Sequence, residues 1–354
     1  MCATPNMVTG LDVSDRYSAL CTLGAEGEVE EEGRVRTTAQ AMRTHFQVPR
    51  RRVVLEAGTH SPWISRLLAE LGHDVIVANA RMVALIHKNP KKSDPVDAET
   101  LARLGRVDPK LLAPIEHRSE SSQHDLGLIR TRSAVVRART ALINHVRGTV
   151  KSTGGRIPRC SAETFARRAP EHIPDPLRPG LEPILETIVH LSRQIRFFDK
   201  QIGKLCQESY PETALLQQVK GVGPVTALAF RLVLDDPRRF KESRSVGAYL
   251  GLTRRRSDSG DFEPELRITK LGDKLLRSLL TQSAQYILGA FGPDSDLRRW
   301  GLAYWRRGGS SKKAKKKAVV AVARKLSVLL HRLWITGEVY EPLRNSKVSK
   351  APAA

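Results

Sequence analysis

Two carboxylates, Asp94 and Asp97, stand three residues apart where the pattern predicts the start of a helix. The chain around them is strongly basic, with 59 Lys and Arg against 37 Asp and Glu and a formal net charge of +22. Such a chain suits polyanions, and acids at its reactive centre favour a divalent cation held beside a phosphate. Taken alone, the pair is better explained by helix capping, with Asp94 at the N-cap and Asp97 favourable to the helix dipole.

Two further acids strengthen the metal interpretation. Asp12 lies in a predicted strand between Leu11 and Val13, where an acid is costly to bury unless a cation or partner compensates it. Glu56 closes a later predicted strand. Two strands and one helix start can therefore bring four carboxylates onto one or two Mg²⁺ (or Mn²⁺) ions, which would polarise a phosphodiester and activate a nucleophile. This combination resembles the RNase H-like nucleases of the RuvC type.

Composition limits the function classes. The chain has 354 residues, enough for roughly two or three domains. Its charge favours nucleic acid over an anionic membrane surface. No apolar run approaches the roughly 18 residues of a spanning helix, and no secretory pattern is found at the start. The four cysteines are scattered, without a Cys-x-x-Cys pair, which excludes a zinc knuckle and a disulfide framework. We therefore expect a cytoplasmic, nucleoid-associated protein that binds DNA and no membrane.

The elements that must position the four acids alternate between strand and helix up to about Pro114. This β–α–β alternation predicts an α/β domain with parallel pairing over residues 1–115. In its helix, Ser61 is predicted to act as the cap and Pro62 to occupy the first turn. The predicted strands are 8–13, 17–23, 52–56 and 73–79, and the predicted helix is 61–71.

Residues 116–210 are predicted to be helical. Seven apolar residues recur in alternating steps of four and three, the a/d pattern of a coiled coil: Ile184, Ile188, Leu191, Ile195, Phe198, Ile202 and Leu205. Two interpretations remain open. The seam either closes a helical hairpin within its own domain or joins two copies in a dimerising coiled coil, which the unbroken spacing favours.

Residues 211–344 are predicted to be mainly α, followed by a tail at 345–354. Gly221-Val222-Gly223 separates two predicted helices and resembles a helix-hairpin-helix element, whose backbone amides approach phosphate closely. A plain helix-ending turn explains the glycines equally well. A lysine cluster, predicted to precede a last helix at 318–333, is interpreted as a face that contacts the backbone of DNA or guide RNA: Lys312, Lys313, Lys315, Lys316 and Lys317.

A basic loop with serines follows the glycine turn. Arg254, Arg255 and Arg256 precede Ser257 and Ser259, and Arg267 and Lys270 come after them. Arginines beside a serine would activate its hydroxyl and stabilise the charged transition state of attack on phosphate. From the chemistry alone, simple contact with a nucleic-acid backbone is the better explanation of such a loop.

Taken in order, these motifs resemble the DEDD transposases of insertion-sequence family 110, the bridge-RNA-guided recombinases. The resemblance covers nearly the whole chain, from about Val8 to the 340s. It is carried by the Asp12 strand, the coiled coil and six sequence motifs: Leu55-Glu56-Ala57-Gly58-Thr59, Lys92-Ser93-Asp94-Pro95-Val96-Asp97-Ala98, Gly221-Val222-Gly223-Pro224, Gly251-Leu252-Thr253, Ser259-Gly260 and Arg267-Ile268-Thr269-Lys270.

The resemblance implies a RuvC-like domain that binds metal through Asp12, Glu56, Asp94 and Asp97, a coiled-coil middle, and a C-terminal transposase domain. It implies that Ser259 attacks the DNA phosphate to give a phosphoserine intermediate. It further implies dimers that pair into a tetramer, the acids of one subunit completing the site of another, and a structured non-coding guide RNA.

The chain also departs from the family pattern. Family members often carry a proline, a basic pair and a tyrosine where this chain has Arg254 to Ser257, which makes Ser257 a rival nucleophile. Two other functions stay open: a RuvC-like metal-dependent endonuclease without a covalent intermediate, and a non-catalytic nucleic-acid-binding protein. The acids speak against the second, because they would weaken binding to phosphate.

Overall fold

The computed structural model describes residues 7–79, 93–257 and 266–345. The chain divides into two compact units, Met1–Arg118 and Ser119–Ala354. The predicted tail beyond residue 345 lies outside the described residues. The segments predicted as a coiled-coil middle and a C-terminal domain both fall in the second unit.

The first unit is built on a five-stranded mixed sheet with the order β3-β2-β1-β4-β5. β1 pairs with β2 and β2 with β3 in antiparallel fashion, whereas β1, β4 and β5 run parallel. The α/β class is confirmed, and the predicted strands and parallel pairing are found. β3 was not predicted from the sequence. The strands are β1 Val8–Asp12, β2 Tyr17–Leu23, β3 Val29–Arg36, β4 Arg52–Glu56 and β5 Asp74–Ala78.

Helices cover both faces of this sheet. On one face, α1 (Ala39–His45) and α2 (Ser61–Glu70) pack over a core that includes Leu11 and Leu55. On the other face, α3 (Asp94–Val107) packs over a core that includes Val8 and Val54. Strands β1, β2, β4 and β5 therefore contribute buried side chains to a core on each face, which is typical of α/β architecture, whereas β3 at the edge is largely exposed.

Two local predictions for these helices were wrong. α2 begins at Ser61, but its N-cap position is His60; the Ser61 hydroxyl instead accepts the Gly58 N–H at 3.0 Å. α3 has Ser93, not Asp94, at its N-cap position, and Asp94 is the first helical residue. In both cases the N-cap position lies one residue before the residue that was predicted to cap the helix. The predicted cap is therefore itself the first helical residue.

The second unit is mainly helical. It contains nine α-helices within the described residues: α4 Glu120–Ser152, α5 Phe165–Arg168, α6 Arg178–Glu208, α7 Thr213–Gln217, α8 Pro224–Leu234, α9 Arg244–Tyr249, α10 Lys274–Leu288, α11 Asp296–Arg307 and α12 Lys312–Thr336. Short 3-10 turns at Pro109–Leu112, Pro170–His172, Asp175–Leu177 and Pro237–Arg239 complete the two units. None of the helices among the described residues is long and apolar enough to cross a membrane.

The two longest helices, α4 and α6, form an antiparallel hairpin. Near its closed end, Ile143 and Val150 share a core with Leu185 and Ile188; at its open end, Leu126 and Ile129 share another with Ile202. Every second member of the predicted seam, Ile188, Ile195 and Ile202, is therefore buried within one chain. The hairpin interpretation accounts for these positions, and a dimerising coiled coil stays a prediction.

The last helix is longer than predicted. α12 begins at Lys312, because the Ser311 hydroxyl caps it by accepting the Ala314 N–H at 3.1 Å. The lysine cluster is thus the first two turns of a helix and not a segment before it. Helical spacing places the lysines of the cluster on different faces of α12. Only lysines three or four residues apart share a face and can contact the same ligand.

Candidate active site and nucleic-acid interface

Three of the four predicted acids come to one edge of the sheet. β1 and β4 are parallel and pair Leu11 with Leu55, so Asp12 and Glu56 occupy the next register position at the carboxyl ends of neighbouring strands. Ligand and catalytic groups of α/β sheets commonly lie at this edge. The sequence analysis placed Glu56 at a strand end but Asp12 within a strand. In the structure β1 ends at Asp12, and the register makes the two acids neighbours.

The same three acids belong to one face of the sheet. Side chains alternate along a strand, and Val8 and Val54 both pack toward α3. Asp12 and Glu56, at even steps from these residues, therefore point to the α3 side. Asp97, in the first turn of α3, belongs to the helix that covers this same face and is buried, with 5% of its surface exposed.

Gly10 allows this close approach. A Cβ there would lie 1.9 Å from the Ala98 carbonyl oxygen and 2.6 Å from the Ala102 nitrogen, so only glycine lets the start of α3 rest on β1. The position one residue before Ala98 is Asp97. We call Asp12, Glu56 and Asp97 the acid corner. Asp94, one turn earlier on α3, is exposed at its rim.

The donors at the acid corner are of the chemical type that a hard divalent cation prefers. They are all carboxylate oxygens, the ligands that Mg²⁺ and Mn²⁺ prefer, and two are half-buried beside a buried third. Among the described residues, no group of three or more His, Cys, Asp or Glu side chains is arranged so that it could hold a metal ion. The corner therefore gathers suitable donors without forming a closed set of ligands.

Ser61, at the start of α2, contacts His117, a histidine near the end of the first unit that the sequence analysis did not single out. The Ser61 hydroxyl is 2.9 Å from Nε2 of His117. Burial, with Arg66 and Arg118 nearby, lowers the pKa of His117 below its ordinary value of 6.5. The imidazole is therefore neutral at pH 7, a property that follows from tertiary packing and leaves no pattern in the sequence.

The predicted nucleophile, Ser259, falls in residues 258–265 and lies outside the described residues. The segments on either side of it form a short antiparallel ribbon. Arg255 donates its N–H to the Arg267 carbonyl at 3.0 Å, and Thr269 donates to the Thr253 carbonyl at 2.9 Å. Ser257, the rival nucleophile, is exposed at the end of one arm.

At the base of the ribbon, the backbone of its two arms comes into close contact at Gly251 and Gly272. Gly251 has φ +67°, and a Cβ there would lie 2.1 Å from the Leu271 carbonyl oxygen. Gly272 has φ +80°, and its Cβ would meet the Tyr249 carbonyl at 2.0 Å. Both glycines are required by close backbone approach and a left-handed conformation. The two arms are thus held together at their base.

Beside this ribbon the second unit has a large basic groove of about 1660 Å³. Six of the predicted nucleic-acid-binding residues line it: Arg254, Arg267, Lys270, Lys313, Lys316 and Lys317. Arg255, Arg256, Lys312 and Lys315 do not line it. Lys315 instead lies with Nζ 5.1 Å from the centre of the Trp305 ring. The structure therefore unites two basic segments that are about 45 residues apart in sequence.

The sequence analysis missed several other residues that line this groove. Arg244, Arg324 and Lys325 add further cations, and Trp300 and Tyr304 add aromatic rings. Spacing could have indicated them: Lys313, Lys317 and Arg324 recur on one helical face, and Trp300 and Tyr304 are four apart. Because isolated arginines on a helix are common, that signal alone is weak.

The two glycines of the predicted helix-hairpin-helix element differ. Gly221 has φ +98°, and a Cβ there would lie 2.9 Å from Tyr286 Cδ1, so this glycine is needed for the turn and its packing on α10. Gly223 is exposed, and a Cβ there would meet nothing within 4 Å. Only Gly223 leaves its backbone open to a phosphate at the start of α8.

Two family descriptions match this chain. Residues 9–154 match the DEDD transposases of the IS110 type, and residues 213–298 match the transposases of the IS116/IS110/IS902 family. A probable family 20 transposase of Pseudomonas aeruginosa is 29% identical over 84% of this chain and 87% of its own length. The transposase for insertion sequence element IS1111A of Coxiella burnetii is 26% identical over 94% of this chain and 91% of its own.

The mixed α/β first unit and the mainly helical second unit fit a DEDD-type transposase, an enzyme that acts on DNA. With both matched regions present in order, the chain belongs to the IS110/IS116/IS902 family of insertion-sequence transposases.

Proposed function

We propose that this transposase cuts and exchanges DNA strands by metal-assisted attack of Ser259 on a phosphodiester. Asp12, Glu56, Asp94 and Asp97 would hold Mg²⁺ or Mn²⁺. The observation that carries the proposal is the acid corner: two strand ends and a helix start, distant in sequence, bring Asp12, Glu56 and Asp97 to one face and one edge of the sheet.

The proposed chemistry balances without an added oxidant or energy source. The Ser259 oxygen forms a bond to phosphorus, its proton leaves to solvent or a base, and the bond from phosphorus to the departing deoxyribose oxygen breaks. That oxygen takes up a proton and becomes a hydroxyl. In strand exchange, a hydroxyl of the second strand attacks the phosphoserine, and the serine hydroxyl is restored.

The arginines of the ribbon have a clear task in this step. Attack places additional negative charge on the non-bridging phosphate oxygens, and guanidinium groups stabilise such charge by paired hydrogen bonds. Arg254 lies opposite Ile268, and Arg255 lies opposite Arg267, on the two arms that flank the serine segment. A divalent cation, when bound, would add Lewis-acid polarisation of the phosphate.

The proposal includes a homodimer that pairs into a tetramer, with a structured non-coding RNA as guide. The large positive charge supports a partner with many phosphates. Phe197 and Val189 on α6 are apolar yet 54% and 38% exposed, which supports a second copy against the hairpin. RNA pairing would supply the sequence specificity that a charge-based surface lacks.

A denaturing gel of the reaction with labelled element-end DNA tests the serine. A covalent protein–DNA adduct should form with the unaltered chain and with Ser257→Ala, and it should be absent with Ser259→Ala. An adduct lost only in Ser257→Ala would transfer the role to Ser257. Full cleavage by Ser259→Ala without any adduct would instead establish the RuvC-like endonuclease alternative.

A further inference from the structure

We propose that the basic groove of the second unit binds an unpaired DNA strand, with bases stacked at Tyr304 and phosphates held by the lysines at the start of α12. The inference rests on the proposed function for the choice of DNA as the occupant. The fit of an unpaired strand is argued from the groove itself.

The charge of the groove is uneven along its length. Lys313, Lys316 and Lys317 at the start of α12 line the groove together with Arg254 and Arg267. The acids that line the groove are Asp296, Glu338 and Glu341. They lie away from these lysines: Glu338 and Glu341 follow the carboxyl end of α12, and Asp296 donates its backbone N–H to the nearby Pro342 carbonyl at 2.7 Å. The lysine end therefore combines several cations with no acid among its lining residues, which suits successive phosphates.

An aromatic pair forms part of the wall beside these lysines. Trp300 and Tyr304 are stacked, with ring centres 5.6 Å apart and planes 28° apart. Lys325 lies with its Nζ 4.4 Å from the centre of the Trp300 ring, so the tryptophan contacts both this cation and the tyrosine. Both rings are half-buried, and Tyr304 is the one that also lines a second cavity.

Tyr304 occupies the junction of two cavities. It lines the large groove and also a smaller adjoining cavity of about 490 Å³, and Lys313 and Lys317 line both as well. An aromatic ring beside cations that are one helical turn apart suits single-stranded nucleic acid, because a base stacks on the ring while neighbouring phosphates contact the cations.

The floor of the groove favours an unpaired strand over a duplex. Val320, Ala321, Val328 and Leu329 of α12 present apolar surface between the cations. A duplex hides its base faces and offers mainly phosphates to such a surface, which would leave the apolar floor unused. An unpaired strand can place base faces on the floor and on Tyr304.

The position of the ribbon favours DNA over RNA. Both arms that flank the segment containing Ser259 contribute to the wall of the groove, through Arg254 on one arm and Arg267 and Lys270 on the other. If the serine attacks DNA, the strand that passes these arms is the strand to be cut. An unpaired segment there would expose its phosphodiester to the serine.

Fluorescence anisotropy with a labelled oligothymidine of about 20 nucleotides, in EDTA and over a range of salt, tests the groove. The triple variant Lys313→Gln/Lys316→Gln/Lys317→Gln should bind about 10- to 100-fold more weakly at 0.1 M salt. Its slope of log affinity against log salt should be smaller by about 2, since each phosphate contact on a single strand contributes about 0.7.

A charge-matched control is available on the hairpin of α4 and α6: Lys151→Gln/Lys200→Gln/Lys204→Gln, three exposed lysines outside the groove. It should change the affinity by less than about threefold. An equal loss in both triple variants would mean that net charge alone attracts the strand, and would overturn the proposal.

Tyr304 separates stacking from charge. Tyr304→Leu should weaken binding by about 5- to 150-fold, whereas Tyr304→Phe, which keeps the ring, should bind nearly as well as the unaltered chain. Melting curves of both variants establish that the fold is kept. If Tyr304→Leu folds and binds normally, the stacking role is wrong and the proposal fails.

Two further probes identify the occupant. A duplex of the same length or an oligouridine bound more tightly than oligothymidine would assign the groove to duplex or to RNA, and would contradict the proposal. These binding measurements are made without a divalent cation. The groove variants can therefore show no loss of binding although the Ser259 adduct forms, and the adduct can be absent although the groove binds DNA. The two proposals are therefore tested independently.

Discussion

The acid corner and the basic groove are built in opposite ways. The corner takes one side chain from each of three regular elements, and a glycine that permits contact between β1 and α3. The groove collects many cations from a ribbon and several helices, no one of which is indispensable. The comparison teaches that a reacting centre demands placement within a fraction of an ångström, whereas a polyanion surface requires density of charge.

The largest expected effect belongs to a single acid of the corner. Asp97→Asn removes a charged oxygen donor with almost no change in volume. We expect DNA cleavage in Mg²⁺ to fall by about 100-fold or more, since a metal contributes several kcal/mol to such a step. Glu99→Gln, two residues away in a partly exposed ion pair with Arg103, is the matched control and should cleave normally. Comparable cleavage by both variants would exclude Asp97 from the centre.

Gly10→Ala tests how the corner is assembled. The new methyl would overlap the Ala98 carbonyl, so α3 must shift away from β1. We expect a loss of about 1–3 kcal/mol or more in the stability of the first unit, with a fall in cleavage. Gly33→Ala, in strand β3 with nothing within 4 Å of the added atom, should melt within a degree or two of the unaltered chain. Equal melting temperatures would show that α3 does not rest on Gly10.

For the two glycines of the turn before α8 we expect smaller effects, on stability for Gly221 and on DNA binding for Gly223. Gly221→Ala should destabilise the second unit by about 1 kcal/mol or more, because φ is +98° and Tyr286 is in the way. Gly223→Ala should leave the melting temperature unchanged. If α8 contacts a phosphate, Gly223→Ala should still weaken duplex binding a few-fold in anisotropy measurements. Unchanged duplex binding by Gly223→Ala would contradict a phosphate contact at α8 and would support the interpretation of these glycines as a plain helix-ending turn.

The smallest expected effect is a dependence of stability on pH that both units share. His331 in α12 donates from Nε2 to the Pro237 carbonyl and accepts at Nδ1 from Ser243, each at 2.9 Å. Burial lowers the pKa of His331, as it lowers that of His117, below the value of 6.5 expected in the unfolded chain. A lowered pKa means that the folded state favours the neutral ring, so this stabilisation is complete above about pH 6.5 and is lost as the pH falls toward the folded value.

Melting curves from pH 8 to pH 5 measure that loss. We expect His331→Gln to have a lower melting temperature at pH 8 but a shallower decline, by about 2–5 °C over this range, than the unaltered chain. A decline as steep in His331→Gln and in His117→Gln as in the parent would show that other groups control the acid sensitivity.

Much of the first unit could be predicted from the sequence. Apolar runs such as Val53–Leu55 predict buried strands, and the spacing of apolar residues in α2 predicts a helix with one buried face. β3 was missed because nearly all of its side chains are exposed acids and other polar groups, as befits an edge strand. The four acids were named from their positions, but the common face of Asp12, Glu56 and Asp97 depends on strand register and on Gly10, which no local pattern records.

Only some of the residues that line the groove could be predicted from the sequence. The lysines of α12 are consecutive in sequence and stand out, whereas Arg244 and Tyr304 become relevant only when α9 and α11 pack against α12. Gly301 enables part of this packing, since a Cβ there would lie 2.5 Å from Val322. The a/d seam of α6 was correctly identified as apolar, but periodicity does not distinguish a partner within the chain from a second copy.

Single-turnover cleavage of element-end DNA, followed as the protein concentration is raised, tests the division of labour most directly. We predict that Asp97→Asn lowers the maximal rate by about 100-fold or more with little change in the half-saturating concentration. The Lys313→Gln/Lys316→Gln/Lys317→Gln variant should chiefly raise the half-saturating concentration, by about 10-fold or more. A reduced maximal rate in the lysine variant equal to that of Asp97→Asn, or an effect of Asp97→Asn on half-saturation alone, would contradict the account.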